Sequence, residues 1–461
     1  MVRAANGVVR LRLTAAIDPS TRAPAFEYDG AFVPPTIELS PGDTIDIEYA
    51  NALPASKAPP NMTNLHFHGM TVSPKAPADD VLTMIAMPGQ RLHYRVPVPR
   101  NQEPGLYWYH THAHGESNWQ VESGMSGALV VDGVEEHDPA VLAMRQRILV
   151  LRDPQNDPNY RTLNSRHGSA LGRNDPCARE KGRHVTVNGV TNARIAVRPG
   201  ERQFFRVVNA SAERYFDLHV DGEPIALVAQ DGYPVDTYPG EPSVVDVSHV
   251  LVPPAGRAEF VVTGSTTDSA LRSACVDTGP DGAANPAVTL ASLVVDPSAP
   301  SGARAGNVRI AARPPGRNAY LSSALPPPAA KRTIVFSEDP KTNRYYINGR
   351  RFSLSAPPMF VARTGTVEEW TIENTTFELH AFHIHQTHFL VTSVDGVPVK
   401  RHQWLDTVNL PYARQFKRTF RPGNVVVLVN FLNPVIKGEF VFHCHLLEHE
   451  DGGMMAKILV R

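Results

Sequence analysis

Near the C-terminus, His443-Cys444-His445 is followed by His449 and Met454, so one short stretch offers a thiol, three imidazoles and a thioether. Thiolate, imidazole and a weakly held methionine sulfur make up the donor set of electron-transferring blue-copper sites. Side chains alternate across an extended strand, so His443 and His445 should face away from Cys444. Such a segment can touch two metal centres, with the cysteine backbone linking them. Three further His-x-His pairs occur: His66-Phe67-His68, His110-Thr111-His112 and His383-Ile384-His385. Each presents two ring nitrogens on one face of a strand. Imidazole suits copper, zinc, iron or nickel; the neighbouring thiolate and thioether favour copper. Eight imidazoles are too many for one ion but suit three ions that keep positions open for a small ligand. A single pair is ordinarily incidental. Four pairs in well-patterned sequence, outside any low-complexity histidine tract, are not.

The elements that must position these residues recur three times along the chain. Gly42, Gly200 and Gly365 each precede an asparagine by nine residues, at Asn51, Asn209 and Asn374. In the first copy Ile45, Ile47 and Tyr49 alternate with Thr44, Asp46 and Glu48, the pattern of a strand buried on one face. Each copy follows a tight-turn signal (Asp29-Gly30, Asn188-Gly189, Asn348-Gly349) and precedes a second turn at Pro88-Gly89, Pro254-Ala255-Gly256 or Pro422-Gly423. With 461 residues, Gly 32, Pro 41 and no long helical periodicity, the chain is predicted to be all-β, in three Greek-key β-sandwich domains. The expected domains are 1–137, 138–300 and 301–461. A polar excursion is expected over Asp153–Arg183 and a linker rich in Pro, Ala, Gly and Ser over Ser298–Pro328.

The His pairs fall at matching places in the outer two copies. The middle copy has none, which makes it a copper-free spacer and its His219 an ordinary structural histidine. A net charge of −1 with interspersed signs points to no nucleic-acid or anionic-membrane partner, and no apolar run is long enough to span a bilayer. Met1–Asn6 carry no hydrophobic leader, leaving either a cytoplasmic chain or one whose leader has been removed. Cys177 and Cys275 are open to two readings, a disulfide or two free thiols.

The four motifs resemble those of the multicopper oxidases, in particular three-domain bacterial laccases and their spore-coat and cuprous-oxidase relatives, over essentially the whole chain. The resemblance implies cupredoxin-like domains and four copper ions. A type 1 copper would be held by His380, Cys444 and His449 with Met454 as axial ligand. A type 2 copper would be held by His66 and His383, and a type 3 pair by His68, His110, His112, His385, His443 and His445. The family usually has proline where this chain has Ala381, which is expected to loosen a loop there. Glu450 and Asp79 resemble acidic residues that bring protons to the cluster, with Asp80 competing for the second role, and His449 resembles the edge through which electrons enter.

The resemblance further implies one-electron oxidation of phenols or aromatic amines coupled to four-electron reduction of dioxygen to water, by a monomer that is exported to the periplasm or beyond. No methionine cluster lies between Gly365 and His449, which argues against specialised Cu(I) oxidation. Oxidation of Cu(I), Fe(II) or Mn(II) is the alternative among oxidases. A non-enzymatic copper or electron carrier would need only the type 1 residues, and a copper-free scaffold none of them.

Overall fold

The computed structural model describes residues 1–57, 60–154, 177, 184–299, 319–321, 325–339 and 341–461. Most of the expected excursion (with His167) and most of the expected linker lie outside the described residues. Three pairs of sheets follow one another. In the first, Pro24–Glu27, Val8–Ile17, Thr44–Asn51 and Arg91–Pro97 form one layer. Val2–Arg3, Ile37–Leu39, Ser126–Val131, Gly105–His110 and His66–His68 form the other. The second and third pairs each combine a seven-stranded with a five-stranded sheet. An apolar core separates the layers of each pair, as a sandwich requires.

The repeated sequence pattern becomes a repeated pairing. Thr44–Asn51 lies parallel to Val8–Ile17, Arg202–Asn209 to Arg145–Arg152, and Thr366–Asn374 to Ala330–Asp339. Each then pairs antiparallel with the strand that follows the second turn. At the tight-turn signals Asp29-Gly30, Asn188-Gly189 and Asn348-Gly349, both residues have positive φ, the backbone that two-residue hairpin turns demand and that Asn-Gly or Asp-Gly tolerates best.

The asparagine that ends each repeat strand is buried, and it does the same work three times. Its side-chain oxygen accepts from the backbone N–H two residues on, at Leu53, Ser211 and Thr376. Its amide donates to loop carbonyls: Asn61 and Ala86, Arg214 and Val252, and Glu378. Buried loop carbonyls need such partners, so the asparagine fixes the loop that in the outer lobes leads into the first His-x-His strand. Replacing Asn209 with alanine should cost about 1–3 kcal/mol, because two buried carbonyls lose their donor. The check is a lower heat-unfolding midpoint.

Candidate metal centres

In the third lobe, His380–Ile384 pairs antiparallel with Gly438–Cys444, setting His383 opposite His443 and Phe382 opposite Cys444. Alternation along the strand then separates the donors as the sequence predicts: Cys444 points into the lobe's apolar core, His443 and His445 out of it. The chain turns through the short helix Leu447–Gly452, which brings His449 back over the cysteine. Gly453 ends that helix at φ +119, where a side chain would also strike Arg351, and this tight exit leads into Met454, whose backbone N–H donates to the His449 carbonyl.

The result is a compact triad. His380 Nδ1 lies 2.9 Å from His449 Nδ1, and Cys444 Sγ lies 3.4 Å and 3.7 Å from these two nitrogens. An ion with bonds of about 2.0–2.3 Å to N and S, at the centre of a trigonal set, needs edges of about 3.5–4 Å. The triad is near that size, with its nitrogens drawn together. Met454 is fully buried in the same apolar cluster, and its backbone joins both ligand segments through Cys444 N–H to Met454 O and Met454 N–H to His449 O. Burial pushes the Cys444 thiol up and lowers His449 to about 4. A buried thiolate there needs a cation beside it. Ala381 sits inside the His380–Ile384 strand, fully buried, with its carbonyl accepting the His445 N–H at 2.7 Å. The loosened loop expected at this position is a paired strand.

All eight histidines of the four His-x-His pairs converge between the first and third lobes. The Nε2 atoms of His112, His385 and His443 form a near-equilateral triangle with edges of 3.1, 3.2 and 3.3 Å. His68, His110 and His445 form a second triad, and His66 and His383 lie beside both, each group small enough to surround one ion. Every ring is buried. Among the described residues, His66 Nε2, His68 Nδ1, His110 Nε2, His383 Nε2 and His445 Nε2 have no hydrogen-bond partner, a costly state for buried polar atoms. Burial, and then the neighbouring imidazoles, hold His66, His68, His110, His112, His385, His443 and His445 well below the ordinary histidine range. The rings are therefore neutral, the form that ligates metal. The donor set and the orphaned nitrogens fit copper at both places.

Several of the opposite ring nitrogens are held from outside, which fixes the tautomer of those rings. His110 Nδ1–H and His443 Nδ1–H donate to the carbonyls of Thr111 and Cys444. Asp79 is buried, faces His66 Nδ1 at 3.0 Å, and accepts from Phe67 N–H and Gln386 Nε2; burial pushes it up to about 7. Its rival Asp80 is spent on the Leu82 and Thr83 backbone. Glu450 is fully buried with its carboxylate 3.3 Å from His443 Nδ1 and 3.7 Å from His112 Nδ1, and burial with the neighbouring Asp451 pushes it well above the carboxylate range.

Several residues at the sites are ones that sequence reasoning missed. Asp406 accepts from His68 Nε2 at 3.1 Å through its carboxylate and from His383 Nδ1 at 2.8 Å through its carbonyl. His388 Nε2 lies 3.4 Å from the same carboxylate. Glu378 lies 3.3 Å from His449 Nε2, and Tyr345 stacks on the His449 ring at 4.2 Å. Each is a lone polar or aromatic residue in ordinary strand or loop sequence, with no partner at motif spacing. The exception in signal is Glu378, two residues before a ligand histidine. Cys177 and Cys275, left open above, are joined in a disulfide.

A three-lobed sandwich protein with a Cys-His-His triad and an eight-histidine cluster between its outer lobes belongs to the class of copper-dependent oxidases. Family profiles described as multicopper oxidase match residues 12–136, 153–287 and 324–461, and the chain belongs to the multicopper oxidase family. It is similar to a multicopper oxidase of Staphylococcus haemolyticus, 24% identical over 94% of this chain and 83% of the relative. Among solved structures it resembles a multicopper oxidase from Campylobacter jejuni described as a metallo-oxidase, with 22% identity, TM-score 0.73, and 99% of this chain and 92% of that one covered. It also resembles the laccase-like multicopper oxidase CueO from an Ochrobactrum species, described as active towards lignin model compounds and lignosulfonate. That match has 22% identity, TM-score 0.72, and 100% and 98% coverage.

Glu450→Gln keeps the shape and removes the titratable proton. Dioxygen consumption should slow roughly 10- to 100-fold while the blue absorption of the Cys444 site persists, measured by oxygen electrode and visible spectrum on the same sample. Unchanged turnover would remove Glu450 from proton delivery.

Proposed function

We propose that the protein is a laccase-type oxidase that withdraws electrons singly from small reducing substrates at His449 and delivers them to dioxygen at the eight-histidine cluster. Copper bound at the two places supplies the one-electron transfer and the four-electron reduction of dioxygen to water. The observation that carries the proposal is the position of Cys444. Its sulfur belongs to one triad, and its immediate neighbours His443 and His445 belong to two others, so a continuous covalent path through adjacent residues joins both centres.

The chain's own groups are suited to the remaining tasks. His380, Cys444, His449 and Met454 hold the electron-collecting ion. His66 and His383 hold a type 2 ion, and the triads His68/His110/His445 and His112/His385/His443 hold the type 3 pair, four ions in all. Asp79 and Glu450 keep protons next to the cluster, Asp79 from the His66 side and Glu450 from the His112 and His443 side. Both carboxyl groups are buried, so the protons they hold are shielded from bulk water. The disulfide suits an oxidising compartment.

Phenols and aromatic amines are the proposed donors. A second reading, metal-ion oxidation, is favoured by the charge around His449. Glu378 shares a hydrogen bond with Glu338, and burial together with Glu338, Glu448 and Glu213 pushes Glu378 well above the carboxylate range. A cation arriving beside such a cluster favours loss of those protons and ionisation of the carboxyls, so the cluster suits a cationic donor, whether an anilinium-type amine or a metal ion. The two similar structures described above, one a metallo-oxidase and one active on lignin compounds, leave room for both.

The test is oxygen uptake by the copper-loaded protein with a neutral phenol, an aromatic amine and Fe(II) in turn. Uptake with the organic donors supports the laccase reading, and copper binding with no uptake for any donor would refute oxidase function. Glu378→Gln should raise KM severalfold for cationic donors and leave that of a neutral phenol nearly unchanged. An equal rise for all donors would contradict charge-based selection.

A further inference from the structure

The middle lobe holds no His-x-His pair, yet it reaches the histidine cluster. Arg257, fully buried in the strand Arg257–Thr263, forks onto Asp406 of the third lobe, with Nη1 donating to Oδ1 at 2.8 Å and Nη2 to Oδ2 at 2.5 Å. Asp231, in the hairpin turn Asp231-Gly232, accepts from the Arg257 backbone N–H at 2.9 Å and from the Asp406 and Thr407 N–H groups at 3.3 and 3.2 Å. The same turn is pressed against the first lobe. Tyr107 Oη–H donates to the Gly232 carbonyl, and a Cβ at Gly232 would overlap the Tyr107 ring. Arg257 Nε also donates to the Leu106 carbonyl.

Asp406 in turn decides which nitrogens face the cluster. Its carboxylate takes the His68 Nε2–H and its carbonyl the His383 Nδ1–H. The nitrogens left over, His68 Nδ1 and His383 Nε2, are the ones without partners. Gly69, next to His68, has φ +82, and a Cβ there would overlap Arg257 Nη2 and Asp406 Oδ2; the first His-x-His motif is followed by glycine because the ion pair occupies that space.

We propose that Arg257, braced by the Asp231-Gly232 turn, is a positioning residue for the trinuclear site, aligning Asp406 so that His68 of the first lobe and His383 of the third present the correct nitrogens. A two-pronged guanidinium contact fixes both the place and the plane of a carboxylate, which a point charge does not. Groups behind metal ligands typically govern metal affinity as well as geometry.

This inference rests on the copper assignment above, and the experiment separates the two. Arg257→Met, Arg257→Lys and Arg206→Met would be prepared with copper alongside the parent. Arg206 forms an equally buried ion pair with Glu259 in the same lobe but touches no histidine of the cluster among its described contacts. Copper retention against a graded chelator series and the type 2 electron-spin resonance signal are recorded, together with the blue absorption. Arg257→Met should keep the blue absorption, hold cluster copper about 10- to 100-fold more weakly, and show an altered type 2 signal. Arg257→Lys should fall between it and the parent. Arg206→Met should lose thermal stability with parental copper retention and signal.

A parent that binds no copper at the cluster would refute the copper assignment itself. A loaded parent with Arg257→Met indistinguishable from it, or with Arg206→Met equally depleted, would overturn the positioning role. Should Arg257→Met not fold, an Arg257→Lys protein identical to the parent in retention and signal would overturn it as well.

Discussion

Eight imidazoles crowded into one buried space are poorly satisfied by themselves. Several of their ring nitrogens point at common centres, away from water, with no hydrogen-bond partner among the described residues. Proteins rarely leave one such atom unsatisfied, and here five or more stand together. A cation at each centre reverses the sign of the problem. Metal affinity and the stability of the seam between the outer lobes are therefore linked, since whatever binds the folded arrangement stabilises it. The three-lobed design follows from this need: no single sandwich can surround the cluster, but two copies facing each other can.

Around that constraint the protein builds outward. Backbone carbonyls hold His110 and His443, carboxylates hold His66 and His68, and Glu450 sits behind His112 and His443. The middle lobe looks dispensable in sequence because it carries no ligands. In the folded chain it closes the third side of the junction, with a guanidinium and a carboxylate where its neighbours have histidines, so it does more than hold the outer lobes apart.

The fold was legible because its signals are local and repeated. A glycine-to-asparagine spacing used three times, a strand alternating over Ile45, Ile47 and Tyr49, and three Asn-Gly or Asp-Gly turns each specify backbone within a few residues. The clustering of the paired histidines was legible for the same reason, since pairs two apart must share a strand face and the alternation at Cys444 must split its neighbours from it. Asp406, Arg257, His388 and Glu378 were not. Their partners lie from about twenty to more than three hundred positions away, and a lone acid in a strand has the same sequence whether it faces water or a buried arginine. Ala381 failed differently: a family habit of proline implied a loop, whereas alanine, which keeps its N–H and has no ring to accommodate, is compatible with a paired strand.

The central claim is that one sulfur-bound ion and a separate three-ion cluster are joined through the adjacent residues His443, Cys444 and His445. An anomalous-scattering map of crystals, recorded at the copper absorption edge, tests it most directly. Expected are one isolated peak among His380, Cys444 and His449 and a group of three among the eight histidines between the outer lobes. A single peak at Cys444 with none among those histidines would contradict it.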